Sequence, residues 1–207
     1  MKYLFSLLAG ALLLSGNVFA SDESPDVLVK RVTEEVLSIV RTDKDIQSGD
    51  SRKAVQLVET KVLPNFNFMR MTSLAVGKDW RKATPEQKKR LSDEFRTLLV
   101  RTYSNALTAY KDQRVVFKPF KMEPTETDVM VRTEVRQPGQ PAVQIDYALE
   151  KDEKSWKVYD VVVAGISLVT NYRDSFAQEI RAGGIDGLIA TIAAKNKQIA
   201  TAQAAKS

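Results

Sequence analysis

The chain has 207 residues, with 31 Lys and Arg against 26 Asp and Glu, a formal net charge of +5, and neither cysteine nor histidine. The missing cysteines exclude disulfides, thiolate nucleophiles and Cys-based zinc sites; the missing histidines exclude Ser-His-Asp catalysis, His-ligated metals and the commonest general base at neutral pH. So small a basic excess fits a solvated surface with local patches and argues against a nucleic-acid binder.

Lys2 is a positive n-region, Tyr3 to Leu14 is an apolar segment too short to span a bilayer, and Val18-Phe19-Ala20 forms a cleavage site. Residues 1–20 therefore read as a cleaved signal peptide, leaving 21–207 as one soluble domain outside the cytoplasm. Ser24-Pro25 opens a first helix with an N-cap and a proline in its first turn. Leu28, Val32, Val36 and Val40 recur every fourth residue and carry it to about Gln47. After Gly49-Asp50-Ser51 a second helix presents Val55, Val58 and Val62 and stops at Leu63-Pro64. A short third helix is expected from Asn67 to about Val76. Thr84-Pro85-Glu86-Gln87 combines a capping box with a proline in the first turn. Behind it Leu91, Phe95, Leu98, Leu99, Tyr103, Leu107 and Tyr110 trace the stripe of a long fourth helix.

The period then changes to two. A strand is expected at about Val115 to Lys121. Val129, Val131, Thr133 and Val135 alternate with polar neighbours, as do Val143, Ile145, Tyr147 and Leu149, with Pro138-Gly139-Gln140-Pro141 turning between them. Trp156 to Val163 is the fourth strand. From Val161 to Val169 only Ser167 is polar, and this stretch reads as a strand running straight into a helix, Ser167 to Arg181. A last helix, Asp186 to about Ile199, comes after Gly183-Gly184, and the tail from about Ala200 should fray. The order predicts a single α+β domain with helices wrapped over a curved four-stranded antiparallel sheet and an interior apolar cavity.

Val161, Val163, Ile166, Leu168 and Val169 are apolar on both faces of their element, so either the rest of the core or a greasy ligand must cover both. Phe66, Phe68, Met69 and Met71 form a second soft cluster after Pro64. Sequence periodicity does not separate packed core from lined cavity. Without His or Cys, an enzyme would need carboxylates, Tyr, Ser or Lys, and the pair to consider is Asp146-Tyr147 beside Tyr159-Asp160, as an Asp base with a Tyr donor. Lys78, Arg81, Lys82, Lys88, Lys89 and Arg90 crowd around Trp80 as either a solvated helix start and loop or a docking patch for an acidic partner surface or anionic lipid head groups. A purely structural docking module with a solid core is a third reading.

Leu74-Ala75-Val76-Gly77-Lys78-Asp79-Trp80-Arg81-Lys82-Ala83-Thr84-Pro85-Glu86-Gln87, continuing through Phe95, Leu99 and Tyr103 to Leu107, resembles the central helical motif of the MlaC family of periplasmic phospholipid-binding proteins, also called the toluene-tolerance auxiliary family. Trp156 to Val169, with Asn171-Tyr172-Arg173, Phe176 and Gly184 to Leu188, is similar to that family's second signature. Ala164 departs from it, since family members often carry Glu before the Gly-hydrophobic-Ser step. The resemblance implies a non-enzymatic, monomeric periplasmic carrier that takes no cofactor, holds phospholipid as cargo and helps maintain outer-membrane lipid asymmetry. It also implies two partners: an outer-membrane MlaA–porin complex, and the inner-membrane ABC transporter MlaFEDB, met through MlaD. The lipid-lining set is then Phe66, Phe68, Met69, Met71, Leu74, Leu98, Leu99 and Tyr103 from the helices. The sheet and the segment after it contribute Val131, Val143, Ile145, Tyr147, Val161, Val163, Ile166, Leu168, Val169, Tyr172 and Phe176. The six basic residues around Trp80 become the partner-docking candidates.

Overall fold

The computed structural model describes residues 23–153 and 155–204. The expected signal peptide, residues 1–20, lies outside the described residues. Helix α1 spans Pro25–Thr42 and ends earlier than its stripe predicts. Asp43 takes an extended conformation there, and its carboxylate accepts from the Asp45 and Ile46 amides, starting the separate short helix α2, Lys44–Gln47. Asp50 does the same for α3, Ser51–Leu57. The chain then loosens into a π turn over Val58–Val62 and tightens into a 3-10 turn over Leu63–Asn65. Pro64, which has no amide hydrogen to donate, lies in that second turn.

Asn67 caps α4, Phe68–Val76, by accepting from the Arg70 amide. A 3-10 segment, Gly77–Lys82, leads to α5, Pro85–Tyr103. The capping box is formed as expected: Gln87 N donates to Thr84 Oγ1 at 3.2 Å, and Thr84 N donates to Gln87 Oε1 at 3.0 Å. The fourth helix does not run unbroken to Tyr110. It stops at Ser104, whose hydroxyl turns back onto Val100 O at 2.6 Å, and α6, Asn105–Thr108, comes next.

Among the described residues the sheet has five strands in a plain antiparallel meander, not four: β1 Arg114–Phe117, β2 Asp128–Arg136, β3 Val143–Lys151, β4 Trp156–Val163 and β5 Ile166–Ser167. Register pairs Val131 with Tyr147 and Tyr147 with Val161, and cross-strand partners share a face, so the expected inward set lies on one side of the sheet. A bulge at Ala148/Leu149 bends β3 against β4.

The expected run from strand into helix at Ser167 is corrected. Ala164 (φ +50°) and Gly165 (φ +82°) make a two-residue hairpin that folds Ile166 back beside Val163. Positive φ at both central residues is the twist such hairpins need. A 3-10 turn, Thr170–Tyr172, then leads into α7, Arg173–Ala204, which is interrupted at Gly184 (φ +67°) and continues through Ala200.

Among the described residues the buried side chains form three clusters. One joins α4, α5 and α7 around Phe95, Leu98 and Leu188. The second joins α1 to the sheet around Leu28, Val131, Leu149 and Trp156. The third joins α1 to α2 and α3 around Val40, Ile46 and Leu57. Outside them, Arg70 ties α4 to the sheet. Its guanidinium reaches Glu150 at 2.5 Å and Asp128 at 2.6 Å, and lies 3.5 Å from the centroid of the Tyr159 ring.

Candidate functional site: two adjoining apolar cavities

Interiors normally close to crystal-like density, so space left between clusters is informative. Two cavities, of about 370 and 240 Å³, lie between the helices and the inner face of the sheet. The larger is walled on one side by Leu28, Val29, Val32 and Val36 of α1, and on the other by Val115, Val135, Ile145, Tyr147 and Val158. The smaller is walled by Val58, Leu63, Phe68 and Met71, by Leu99, Val100 and Tyr103 of α5, and by Val161 and Leu168. Val62, Phe66 and Leu107 line both.

Among the described residues, neither lining includes a charged one. The few polar groups are already engaged within the protein. Tyr110 Oη accepts from Arg41 Nη2 at 2.7 Å and donates to Gln113 O at 2.7 Å. Asn65 Nδ2 donates to Lys61 O at 2.9 Å. Burial pushes the Tyr147 hydroxyl above its ordinary pKa, and Thr133 and Thr33 stand within its hydrogen-bonding reach. A lining of this kind is mostly apolar contact area with a few polar groups.

Of the candidate lining residues, Phe66, Phe68, Met71, Leu99, Tyr103, Ile145, Tyr147, Val161 and Leu168 are brought together in the cavity walls. The others are placed elsewhere. Leu98, Val131, Val169 and Phe176 are buried in the clusters, while Leu74 and Tyr172 pack against the first of them. Met69 is 47 % exposed, its sulfur accepting from Ser92 Oγ at 3.5 Å. Val163 is half-buried outside both linings. Val143 and Ile166, 40 % and 60 % exposed, share the inner face but stand at the sheet's end, beyond Ile145. The α1 wall and the Val58–Leu63 turn were absent from the candidate set. Their signal was visible as the Leu28, Val32, Val36 stripe, which is the same for a helix facing core and a helix facing space.

The carboxylate–tyrosine pair is not assembled at either cavity. Tyr147 alone lines one. Asp160 accepts from Ser167 Oγ at 2.6 Å and from the Val161 amide at 2.8 Å, and burial raises its pKa. Tyr159 donates to Asp128 Oδ1 at 2.6 Å, and its hydroxyl is pushed up to about 12, chiefly by burial. Asp146 holds one oxygen toward Gln144 at 2.7 Å and leaves the other buried and unpartnered.

Around Trp80, Lys82 pairs with Asp79 at 2.6 Å, Lys89 with Asp93 at 2.6 Å and Arg90 with Asp186 at 3.6 Å. The Lys82 ammonium holds the Asp79 carboxyl below its usual range. Lys88 sits 5.5 Å over the Trp80 ring, and Lys78 and Arg81 are exposed. Among the described residues no cluster of His, Cys, Asp or Glu could hold a metal, and no helix is long and apolar enough to cross a membrane.

The family model described as "MlaC protein" matches residues 30–194. The intermembrane phospholipid transport system binding protein MlaC of Haemophilus influenzae is 25 % identical over 172 residues, covering 82 % of this chain and 80 % of that protein. The toluene tolerance protein ttg2D of Pseudomonas putida is 28 % identical over 165 residues, 79 % of this chain and 76 % of that one. A solved structure of a phospholipid-binding protein from Ralstonia solanacearum, in complex with a phospholipid, superposes with a TM-score of 0.79 at 38 % identity, covering 87 % of this chain and 99 % of that chain.

Proposed function

Because the chain belongs to the MlaC family, we propose that it is a periplasmic phospholipid carrier, one that shelters acyl chains in the two cavities while lipid passes between outer-membrane and inner-membrane complexes. The observation that carries this reading is a pair of adjoining cavities whose linings, among the described residues, include no charged one. An apolar cavity of about 150 Å³ holds a benzene molecule, roughly 25 Å³ per carbon, so the larger cavity has room for about 15 carbons and the smaller for about 10. Each methylene kept from water is worth about 0.8 kcal/mol, so one chain of about 15 carbons gains on the order of 12 kcal/mol from shelter. A surface patch does not supply that.

In this reading residues 1–20 direct export and are removed, and 21–207 form one carrying domain. The protein works as a monomer without cofactor or catalysis, in support of outer-membrane lipid asymmetry. Its partners are the MlaA–porin complex on one side and MlaFEDB, through MlaD, on the other. Lys82, Lys89 and Arg90 are exposed but engaged in ion pairs, so the exposed Lys78 and Arg81 are the best placed of the basic cluster to meet an acidic partner surface. Organic extraction of freshly purified protein, followed by lipid mass spectrometry, tests the carrier reading. Phospholipid in near-stoichiometric amount is expected; a lipid-free, fully folded protein isolated from membrane-containing cells would refute it.

A further inference from the structure

The three longest uncharged runs among the described residues are 102–110, 137–145 and 161–172. In a chain that is 28 % charged, the fold gathers all three at one place. Tyr103 and Leu107 of the first run line cavity wall with Val161 and Leu168 of the third, and Ala106 does so with Ile145 of the second. The Ala164 amide donates to Gln144 O at 2.9 Å and ties the second run to the third. Ala106 is exposed as well as cavity-lining, so the apolar space opens to solvent between α6 and this end of the sheet. Val143 and Ile166 carry the sheet's inner face past Ile145 and Val163 to the rim, where both are exposed. Cations stand beside that rim. Exposed Arg41 donates to Tyr110 Oη, and exposed Lys111 and Arg114, with Asp112 between them, flank Gln113; Tyr110, Gln113 and Val115 are wall residues. The opposite end of the sheet is ionic and shut: Arg70 pairs with Glu150 and Asp128, Lys157 Nζ donates to Pro64 O at 2.8 Å, and Trp156 is buried.

We propose that this rim is a docking face for a protein partner whose own lipid passage opens on an uncharged surface with carboxylates around it. Contact there lets an acyl chain cross from one protein to the other without meeting water. This rests on the carrier reading above and adds the surface through which lipid changes hands. A patch depleted of charge at its centre and polar at its edge is the pattern of a protein–protein interface, and cations at the edge complement an acidic partner. A bilayer surface is the poorer match. Segments that bind bilayers insert Trp, Phe and Leu beside Lys and Arg, whereas the rim exposes mostly Ala, Gly, Pro, Gln and Asn. The rim stands at the C-terminal end of α5 and the basic cluster around Trp80 at its N-terminal end, about 28 Å away for a helix of 19 residues. The two surfaces are therefore distinct.

The test follows exchange of a fluorescent phospholipid between the loaded protein and two preparations of phosphatidylethanolamine–phosphatidylglycerol vesicles, one carrying MlaFEDB and one free of protein. Wild-type protein should exchange at least tenfold faster with the MlaFEDB vesicles. The double variant Val143→Glu, Ile166→Glu should keep its bound lipid in native mass spectrometry, yet exchange with MlaFEDB vesicles at least tenfold more slowly than wild type. Ile166→Glu alone should slow exchange in the same direction, which keeps the test valid if the double variant fails to fold. Arg114→Glu should slow it about threefold, as loss of a rim charge lowers the rate of encounter. Val27→Glu and Met69→Glu place the same charge on comparably exposed apolar residues elsewhere and should exchange within about twofold of wild type. The docking face is overturned if the rim variants exchange at the wild-type rate, or if the Val27 and Met69 controls lose as much. Wild-type protein that exchanges equally with both vesicles meets the bilayer itself, and loaded wild type that exchanges with neither has no such partner; either result overturns the proposal. Wild-type protein that cannot be loaded with lipid overturns the carrier reading instead.

Discussion

Filling the larger cavity from the α1 side should shorten the chain the protein can hold without harming its fold. Val32 is half-buried, lines that cavity, and packs between the second and third clusters. Val32→Trp adds about seven heavy atoms, roughly 175 Å³ at about 25 Å³ each. That is close to half of the 370 Å³ available. Room for about eight carbons remains, so a 16-carbon chain loses the shelter of about seven methylenes, on the order of 5–6 kcal/mol. The lipid-free variant should melt no lower than lipid-free wild type, because the indole restores contacts along an empty lining. Titration with 8-carbon and 16-carbon lysophosphatidylcholine, with melting followed by circular dichroism, reads both effects. Binding of the long chain should fall by at least a hundredfold while the short chain binds within about threefold of wild type. Unchanged affinity for the long chain would show that chains lie elsewhere. A lipid-free variant that melts several degrees lower would show that Val32 faces tightly packed core.

Ile166→Glu should be nearly silent, shifting stability by no more than about 0.5 kcal/mol and leaving bound lipid in place, since this side chain is 60 % exposed at a hairpin tip; loss of lipid in extraction–mass spectrometry would contradict that placement. Arg70→Met removes two ion pairs and the cation–π contact with Tyr159 and leaves partly buried Glu150 without its cation. About 1–3 kcal/mol of stability should be lost in urea melts, and an unchanged midpoint would contradict this. The Asp160 pKa is raised above 3.8 by burial, so the folded state holds its proton more tightly than the unfolded chain. The stabilisation from that proton is full below about 3.8 and is lost as pH rises through the higher folded value. Asp160→Asn should therefore flatten this part of the stability–pH curve, and an identical slope in variant and wild type would count against it.

The elements with local chemistry of their own were legible in the sequence. Thr84 to Gln87 specifies a helix start through side-chain hydrogen bonds that need no tertiary context. The alternation along Val129 to Val135 and Val143 to Leu149 fixes which face turns inward, because a one-residue slip would expose it. The breaks were harder to see. Asp43 and Ser104 end their helices by bonding to nearby backbone, and the hydrophobic stripe continues past both. The hairpin before Ile166 was hidden because Ala164, not Asn, Asp or Gly, takes the first left-handed position. That misplacement also put Ile166 in the candidate lining. Val32 and Val36 were assigned to the right helix face, yet nothing local records that the opposing side chains stop short of them. A cavity is a property of three clusters failing to meet, and only the packed chain shows it.

Photo-crosslinking with a phospholipid whose acyl chain carries a diazirine near its middle tests the site most directly. After irradiation of the loaded protein and proteolysis, tandem mass spectrometry reports which residues lie against the tail. Adducts should concentrate on the walls of the two cavities: Val32, Val36, Phe66, Leu107, Ile145 and Tyr147. Adducts confined to the exposed apolar residues Met69, Val143 and Ile166, with the cavity walls unlabelled, would contradict an interior site.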